Sequence, residues 1–360
     1  MYHFIKKYLF TLDPEEAHER TIAALKFTEQ RGGTNLLRLL YGHSDECLAS
    51  EIWGLRFPNP VGLAAGFDKN AEVYRALAAL GFGFVEVGTI TPFAQSGNEK
   101  PRLFRMVEDQ AVINRMGFNN HGADAAVENL VDYARADVPI GVNIGKNKIT
   151  PNEAAAGDYE KCLERLYPYG NYFVINVSSP NTPNLRDLQE TESLRQLIKA
   201  IRLKTNELEQ RGAKPKPILL KVAPDMMDEH MRDVVQLAAA EGISGIIATN
   251  TTLSRKGLTT HPRSKETGGL SGRPLTERST AWVKEIYQEV GNQVPIIGVG
   301  GIFNGDDAYE KIRAGASLVQ VYTGMIYKGP GVVKAINKRL ARLLKRDGFT
   351  NISQVVGVDS

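Results

Sequence analysis

From residue 60 onward, the chain alternates short apolar runs with segments of helical periodicity. Strand-like runs recur at 60–64, 83–88, 139–144, 172–177, 217–222, 244–249, 295–300 and 317–322. Helical patterns lie at 70–80, 121–135, 153–168, 191–210, 228–241, 276–290, 305–314 and 331–346. This alternation predicts an α/β fold, a closed (β/α)8 TIM barrel in one domain. A doubly wound open sheet is the alternative, but no Gly-x-Gly-x-x-Gly sequence follows the first strand.

The first forty residues follow a different pattern. An apolar stripe at helical spacing runs through 1–10, with Lys6 and Lys7 on the other side. Asp13 can cap a second helix that ends near Gln30, and a leucine-rich third helix is expected to follow it. Helices this small need a surface for their apolar faces, which is either the barrel or a membrane boundary. We therefore divide the chain into a helical extension (1–42), a barrel (43–346) and a tail (347–360).

Three segments do not fit the repeating pattern. Residues 51–60 predict a hairpin or plug that leads into the barrel. Residues 91–120 form a long insertion between the second strand and its helix, and residues 253–274 are rich in Gly, Ser, Thr and Arg. Insertions at the carboxyl end of a barrel usually cover the active site, and the second one is a candidate lid with glycine hinges.

Small and polar residues follow most of the predicted strands. In strand order they are Ala65, Gly66 and Lys69; Thr89; Asn143; Asn176; Lys221; Thr249, Asn250 and Thr251; Gly300 and Gly301; Tyr322, Thr323 and Gly324. Any one of them is compatible with a hydrogen-bonded core position. Because all these strand ends meet at one face of a barrel, together they predict one polar ligand over its mouth.

Glycines after the last two strands indicate the class of ligand. Gly300 and Gly301, a helix start at Asn304 and the nearby Thr323 are typical of the phosphate site that barrels build from loops seven and eight. Backbone amides and a helix amino terminus supply positive potential there. A phosphate site beside an amide-lined mouth suits FMN, and Lys221 places a positive charge where reduced flavin needs one.

The loop after the fourth strand, residues 178–183, carries two prolines among small hydrogen-bonding side chains. The prolines restrict the backbone, so the loop is predicted to be stiff. A stiff polar loop at the carboxyl end of a buried strand is a usual place for reactive groups.

Composition excludes several classes of protein. The 360 residues are 42% hydrophobic and 24% charged, which allows a large core. A net charge of +3 is too small to indicate nucleic-acid binding. Cys47 and Cys162 lack metal-ligand spacing, so no metal site is expected, and they suggest a reducing compartment. No apolar run approaches the length of a membrane span and no signal peptide is present, so we expect a soluble or peripherally attached intracellular protein.

Four motifs together resemble dihydroorotate dehydrogenase, in its membrane-associated, quinone-reducing class (class 2), over nearly the whole chain. They are Ala-Gly-Phe-Asp-Lys at 65–69, Pro-Arg-Leu-Phe-Arg at 101–105 leading to Asn-Arg-Met-Gly-Phe-Asn-Asn at 114–120, the stretch 176–188, and Gly-Gly-Leu-Ser-Gly at 268–272 with Gly300-Gly301. The resemblance implies an FMN-binding barrel that oxidises (S)-dihydroorotate to orotate in de novo pyrimidine (UMP) biosynthesis.

The resemblance also implies roles for individual residues. Ser179 corresponds to the catalytic base, where the soluble class has Cys, with Thr182 as proton relay, Phe118 closing the site and Lys221 near the flavin. FMN contacts correspond to Ala65, Gly66, Thr89, Asn143, Asn176, Lys221, Thr249, Gly272, Gly301, Tyr322 and Thr323. The substrate site corresponds to Lys69, Asn114, Arg115, Met116, Gly117, Phe118, Asn176, Asn181, Asn250 and Thr251.

In this class the leading helices form a membrane-facing hood with an apolar tunnel for ubiquinone or menaquinone. His18, Arg105 and Tyr322 match polar positions near its inner end. The implied location is the cytoplasmic side of the inner (plasma) membrane, peripherally attached. One departure is Asn184, where the family usually has Gly; we expect Asn184 to keep the left-handed turn.

Two other functions stay open from the residues. One is a related flavin enzyme with a different acceptor, fumarate or NAD, against which Ser179 and the hood both argue. The other is a non-enzymatic flavin- or phosphate-binding barrel, which would not need Ser179, Lys221 and Asn114.

Overall fold

The computed structural model describes residues 2–259 and 262–360. Its strands are β1 Ser50–Ile52, β2 Leu55–Phe57, β3 Val61–Leu63, β4 Phe84–Ile90, β5 Phe93–Gln95, β6 Leu103–Met106, β7 Ala111–Asn114, β8 Asn120–His121, β9 Ile140–Ile144, β10 Tyr172–Asn176, β11 Ile218–Val222, β12 Gly245–Ala248, β13 Gly269–Gly272, β14 Ile296–Val299 and β15 Ala316–Val321. Its α-helices are α1 Tyr2–Thr11, α2 Pro14–Gln30, α3 Thr34–Tyr41, α4 Tyr74–Ala79, α5 Gly122–Leu130, α6 Ala155–Leu166, α7 Thr191–Gln210, α8 Asp228–Ala240, α9 Thr276–Val290, α10 Gly305–Arg313, α11 Thr323–Lys328 and α12 Val332–Asp347.

Eight parallel strands close into a barrel in the order β3-β4-β9-β10-β11-β12-β14-β15. The pairing of β15 with β3, in which Val319 lies opposite Val61, completes the ring. The predicted (β/α)8 barrel is confirmed and the open sheet is excluded. Each barrel strand lies within two residues of its predicted bounds.

The barrel interior is a packed core. Strand residues such as Val174, Leu219 and Ile297 point inward, while their neighbours pack against the outer helices, which explains why these strands are apolar on both faces. The β1–β2 hairpin closes the amino-terminal end, where Phe57 meets Phe84 edge to face at 5.5 Å. The predicted hairpin plug is therefore present.

The two insertions are joined to each other. Strands β6 and β7 of the first insertion and β13 of the second form a three-stranded antiparallel sheet, with Leu270 opposite Ile113. The carboxyl end of the predicted lid is thus held in a sheet, whereas Thr260 and His261 lie outside the described residues. Helix α11, which starts directly after β15, is an element that the sequence pattern did not predict.

The three leading helices lie where the pattern placed them. Asp13 caps α2 by accepting hydrogen bonds from the amides of Glu15 at 2.9 Å and Glu16 at 3.3 Å. None of the described helices is at once long and apolar enough to cross a membrane. At the other end of the chain, Ile352 and Val355 are buried in the core, so the tail packs on the barrel. The domain boundaries at 42 and 346 stay predictions.

Candidate active site at the barrel mouth

A cavity that is open on one side lies at the carboxyl ends of the barrel strands. Its walls come from the strand ends, from both insertions and from the hood helix α2, which contributes His18. The structure brings most of the predicted site residues to this one cavity: Ala65, Gly66, Lys69, Thr89, Asn114, Met116, Gly117, Phe118, Asn176, Ser179, Asn181, Lys221, Thr249, Asn250, Thr251, Gly272, Gly301, Tyr322 and Thr323.

Side-chain amides hold each other in place at the base of the cavity. Asn176 donates to Thr89 Oγ1 at 2.9 Å and to Asn143 Oδ1 at 3.1 Å, and the Thr89 hydroxyl donates to Asn143 at 2.6 Å. All three side chains are buried, so the network satisfies groups that would otherwise be costly in the interior. Asn143 supports this network from behind and does not line the cavity itself.

A buried carboxylate, which the sequence pattern did not single out, extends the network. Glu86 Oε1 accepts from Asn143 Nδ2 at 2.8 Å, and Glu86 Oε2 accepts from Gln320 Nε2 at 2.6 Å. Lys221 Nζ lies 3.7 Å from Glu86, which compensates both charges inside the barrel. The sequence did hold a signal for Glu86, which is a charged residue in the middle of an apolar strand. Because an unpaired buried carboxylate is costly, such a residue predicts a polar partner inside the barrel.

The loop after β10 is fixed at several points. The Asn181 amide donates to Ser179 Oγ at 3.2 Å, and Arg186 donates to Ser178 O at 3.1 Å and to Thr251 O at 3.0 Å. Asn184 has a φ of 55°, so the expected left-handed turn is present. The stiffness predicted for this loop is consistent with these contacts.

Ser179 and Thr182 differ in their surroundings. Ser179 lines the cavity, whereas Thr182 is buried and does not line it. The Thr182 hydroxyl is buried, and among the described residues it has no hydrogen-bond partner. A buried hydroxyl without a partner is unusual and suits a group that exchanges a proton.

The polar side chains of Asn114, Asn181, Asn250 and Thr251 line the cavity and are held by hydrogen bonds. Asn181 Nδ2 donates to Asn114 Oδ1 at 3.1 Å, and Asn250 Nδ2 donates to Ser178 Oγ at 3.0 Å. The backbone amide of Thr251 donates to Asn250 Oδ1 at 2.7 Å. These amides and hydroxyls offer both donors and acceptors to a flat polar ring.

Lys69 meets the hood at the edge of the cavity. Its Nζ lies 3.1 Å from His18 Nε2, and burial lowers the pKa of Lys69 to about 8. Burial and the nearby Lys69 hold the pKa of His18 well below its ordinary value. Because an ammonium group has only donors, the neutral His18 accepts from Lys69.

Several glycines also line the cavity. Gly272, Gly300, Gly301 and Gly324 line it, and Gly301 has no room for a Cβ, which would lie 2.4 Å from Thr276 Cα. The amino end of α10 differs from expectation, because Asn304 Oδ1 already accepts from the amides of Asp306 and Asp307. The glycine loop and the start of α11 line the cavity in its place.

Two features of the cavity fit FMN. Gln320 lines the cavity, and its buried Oε1 has no hydrogen-bond partner among the described residues, so it is available to accept from an N–H group on the polar edge of a flavin ring. The glycine cradle lies where a phosphate would need backbone amides. The residues present therefore fit the cofactor.

Two predicted arginines have other partners. Arg115 pairs with Glu266 at 2.7 Å, and Arg105 donates to the carbonyl oxygens of Leu9 and Leu12 in the hood. Neither guanidinium lines the cavity, so their predicted ligand contacts stay predictions. The strand-end residues Gly300 and Gly324 line the cavity as expected, and residues for which no role was predicted from the sequence also line it: Leu103, Val112, Asn119, Ser271, Leu275 and Gln320.

Comparison with known proteins bears on this site. The family model described as dihydroorotate dehydrogenase matches residues 47–344. Among curated relatives, dihydroorotate dehydrogenase (quinone) of Christiangramia forsetii is 53% identical over 93% of this chain and 97% of its own. The enzyme of the same name from Anaeromyxobacter sp. (strain Fw109-5) is 51% identical over 98% of this chain and 95% of its own.

Solved structures agree. DHODH of Eimeria tenella in complex with ferulenol superposes with a TM-score of 0.88 at 42% identity, covering 96% of both chains. The ligand-free form of DHODH from Eimeria tenella gives a TM-score of 0.89 at 43% identity, covering 96% of this chain and 99% of the other.

Proposed function

The chain belongs to the dihydroorotate dehydrogenase family, and on that premise we propose that it oxidises dihydroorotate to orotate, with FMN as hydride acceptor and a quinone as final acceptor. The observation that carries this proposal is the shared cavity. Ser179, a set of amides and the cation of Lys69 face the same space as a glycine cradle suited to a phosphate. The activity contributes to pyrimidine biosynthesis.

Ser179 is the proposed general base. It takes the proton from C5 of dihydroorotate while the hydride leaves C6, and bound FMN supplies the hydride acceptor. A serine hydroxyl is a weak base, so it needs a dry site and a group that accepts its proton. Thr182, buried on the same loop with an unpartnered hydroxyl among the described residues, is the proposed relay. Phe118, which also lines the cavity, helps to exclude water.

The substrate ring is proposed to lie among Asn114, Asn181, Asn250 and Thr251. Their amides and hydroxyls suit the ring's N–H and C=O groups, and Lys69 suits its carboxylate. Lys221 supplies positive charge at the inner end of the cavity, where Glu86 holds it at 3.7 Å. With FMN bound, the same charge would favour negative charge on the flavin ring.

The hood is proposed to attach the enzyme to a membrane surface and to guide the quinone. Among the described residues, its large exposed apolar side chains are Phe4, Ile5, Tyr8, Phe27, Leu36, Leu39 and Leu40. Large exposed apolar groups concentrated on one small element are typical of an interfacial helix unit. At its inner end, His18 and Tyr322 both contact Phe67 edge to face and line the cavity. Attachment would be peripheral, with the quinone passing between the hood helices.

The oxidative half-reaction is tested by anaerobic stopped-flow of the purified flavoprotein. Dihydroorotate is expected to bleach the flavin absorbance, and a ubiquinone analogue is expected to restore it. Fumarate and NAD in parallel runs are expected to leave it bleached. Recovery with either of them instead of quinone would overturn the acceptor, and an absence of bleaching would overturn the substrate.

Membrane attachment is tested by flotation with vesicles of phosphatidylethanolamine and phosphatidylglycerol. Leu36→Ser/Leu39→Ser is expected to reduce the bound fraction about tenfold, because two exposed apolar contacts are lost. The control Leu203→Ser/Met227→Ser removes side chains of similar exposure from the barrel surface and should bind like the original protein. Equal binding by both double variants would exclude the hood as the attachment surface.

A further inference from the structure

Lys311 on α10 is fully buried and has no role in the site described above. Its Nζ donates to Ser279 Oγ and to Thr280 Oγ1, each at 2.7 Å. Its stem lies against Gly298 of β14, where an added Cβ would come within 2.6 Å of Lys311 Cδ. The absence of a side chain at Gly298 therefore makes room for this lysine.

The environment of Lys311 is costly for a positive charge. Burial lowers its pKa to about 7, with Asp307 and Glu310 acting in the opposite direction. Among the described residues no carboxylate forms an ion pair with Lys311. Asp307, on the same helix, pairs with Arg273 at 3.0 Å instead. Buried lysines are ordinarily paired, and a nearby anion on a ligand would favour the charged form of this one.

Helix α9 connects Lys311 to the glycine cradle. Ser279 Oγ, which accepts from Lys311, lies 3.0 Å from Gly300 O. Thr276 Oγ1 lies 3.0 Å from Gly301 O. Two successive backbone carbonyls of the cradle are therefore turned toward hydroxyl groups of α9.

The direction of these carbonyls fixes the direction of the following amides. In a trans peptide the C=O and N–H groups point opposite ways, so the N–H groups of Gly301 and Ile302 point away from α9. Both residues line the cavity. Gly300 and Gly301 have φ values of 119° and 71°, which allow successive amides to face one concave space.

We propose that Lys311, Ser279 and Thr276 are positioning residues for the phosphate of the cofactor. The two hydroxyls aim the amides of Gly301 and Ile302 into the cavity, and the buried ammonium adds positive potential behind them. The ligand chemistry recognised is a phosphate monoester. The inference rests on the proposed function in one respect, that this monoester belongs to FMN.

The test compares FMN with riboflavin, which has the same ring and no phosphate. Dissociation constants are measured by flavin fluorescence on the full-length apoprotein. Lys311→Met is expected to weaken FMN binding about tenfold through loss of a nearby charge. Ser279→Ala and Thr276→Val, which retain the lysine, are expected to weaken it about threefold each by freeing the amides. Riboflavin binding should change less than about twofold in all three.

The matched control is Lys216→Met. Lys216 is a half-buried lysine just before β11, where it donates to Gly170 O at 2.7 Å, at the opposite end of the barrel. Its replacement should leave the preference for FMN over riboflavin unchanged. If Lys311→Met does not fold, the two hydroxyl variants still decide the question.

The outcomes separate the inference from its premise. A preference for FMN that falls in the Lys311 and hydroxyl variants supports the positioning role. A preference that survives all three variants, or equal losses for both flavins, overturns it and leaves the cofactor assignment intact. An original protein that binds riboflavin as tightly as FMN overturns both.

Discussion

The barrel mouth and the hood depart from the usual distribution of residues in opposite ways. The mouth buries polar and charged side chains, including Glu86, Asn176 and Lys221. The hood exposes large apolar side chains, with Leu39 77% exposed. Buried polar groups and exposed apolar groups are the informative exceptions in a folded protein, because neither contributes to folding without a compensating partner. Glu86, Asn176 and Lys221 have partners within the protein, whereas the hood's apolar groups are proposed to meet lipid.

The mouth and the hood also differ in how they are attached to the barrel core. The mouth is built on strands of the barrel core, but α2 buries only Glu15 and Ala17, and α3 buries no residue fully. Partly buried hood side chains such as Ile22, Leu25 and Leu37 pack against the barrel core, and polar contacts add to this attachment. The central one is the Glu15–Arg102 pair at 2.7 Å, with side chains that are 7% and 6% exposed.

The largest expected effect is at the mouth. Ser179→Ala should keep FMN bound and slow flavin reduction by dihydroorotate about 10²- to 10⁴-fold, as loss of a general base does. Stopped-flow absorbance measures this rate. Ser178→Ala is the neighbouring control, since Ser178 Oγ binds Asn176 and Asn250 and does not line the cavity. If both variants slow flavin reduction to a similar extent, Ser179 is not the general base.

The next effect is on the attachment of the hood. Glu15→Ala leaves Arg102 buried without its carboxylate and should lower the free energy of unfolding by about 3–5 kcal/mol. Glu16→Ala removes an exposed pair with Arg20 and should cost less than about 1 kcal/mol. Denaturant titration measures both. Similar small losses would show that apolar packing, not this pair, attaches the hood.

The pH dependence of this pair has a definite sign. Burial raises the pKa of Glu15, but hydrogen bonds and charge from Arg102 and Lys100 outweigh it, so the pKa of Glu15 is lowered. A lowered carboxyl pKa gives stability that is complete above the unfolded value and is lost as pH falls through the folded value. The difference between the original protein and Glu15→Ala should therefore shrink below about pH 4.

A third prediction concerns the point where hood and mouth meet. Burial lowers the pKa of Lys69 to about 8, so its ammonium is lost above that pH. If Lys69 binds the substrate carboxylate, loss of its proton weakens substrate binding. KM for dihydroorotate should then rise above pH 8, by up to about tenfold for each pH unit. Steady-state kinetics from pH 6 to 9.5 measures this, with Lys69→Met as a control that has a high KM at every pH. A flat profile in the original protein would exclude the assignment.

Sequence patterning predicted the elements of the mouth better than their contacts. Barrel strands are apolar on both faces and so are recognisable, whereas α11 is six residues long and shows no periodicity. Asn304 was expected to start α10, but the sequence did not show that its side chain would occupy the first amides of the helix. Arg105 and Arg115 have partners far away in the chain, Leu9 and Glu266, which no local pattern reveals.

The smallest expected effect is on the stability of the hood variant that binds vesicles less well. Leu36→Ser/Leu39→Ser should change the free energy of unfolding by less than about 0.5 kcal/mol per site, since both side chains are already in contact with solvent. A reduced fraction bound to vesicles with unchanged stability would show that these leucines serve contact with a surface outside the protein. If the double variant instead unfolds more easily, the leucines support the fold, and the hood would resemble an ordinary docked element with the mouth as the one unusual region.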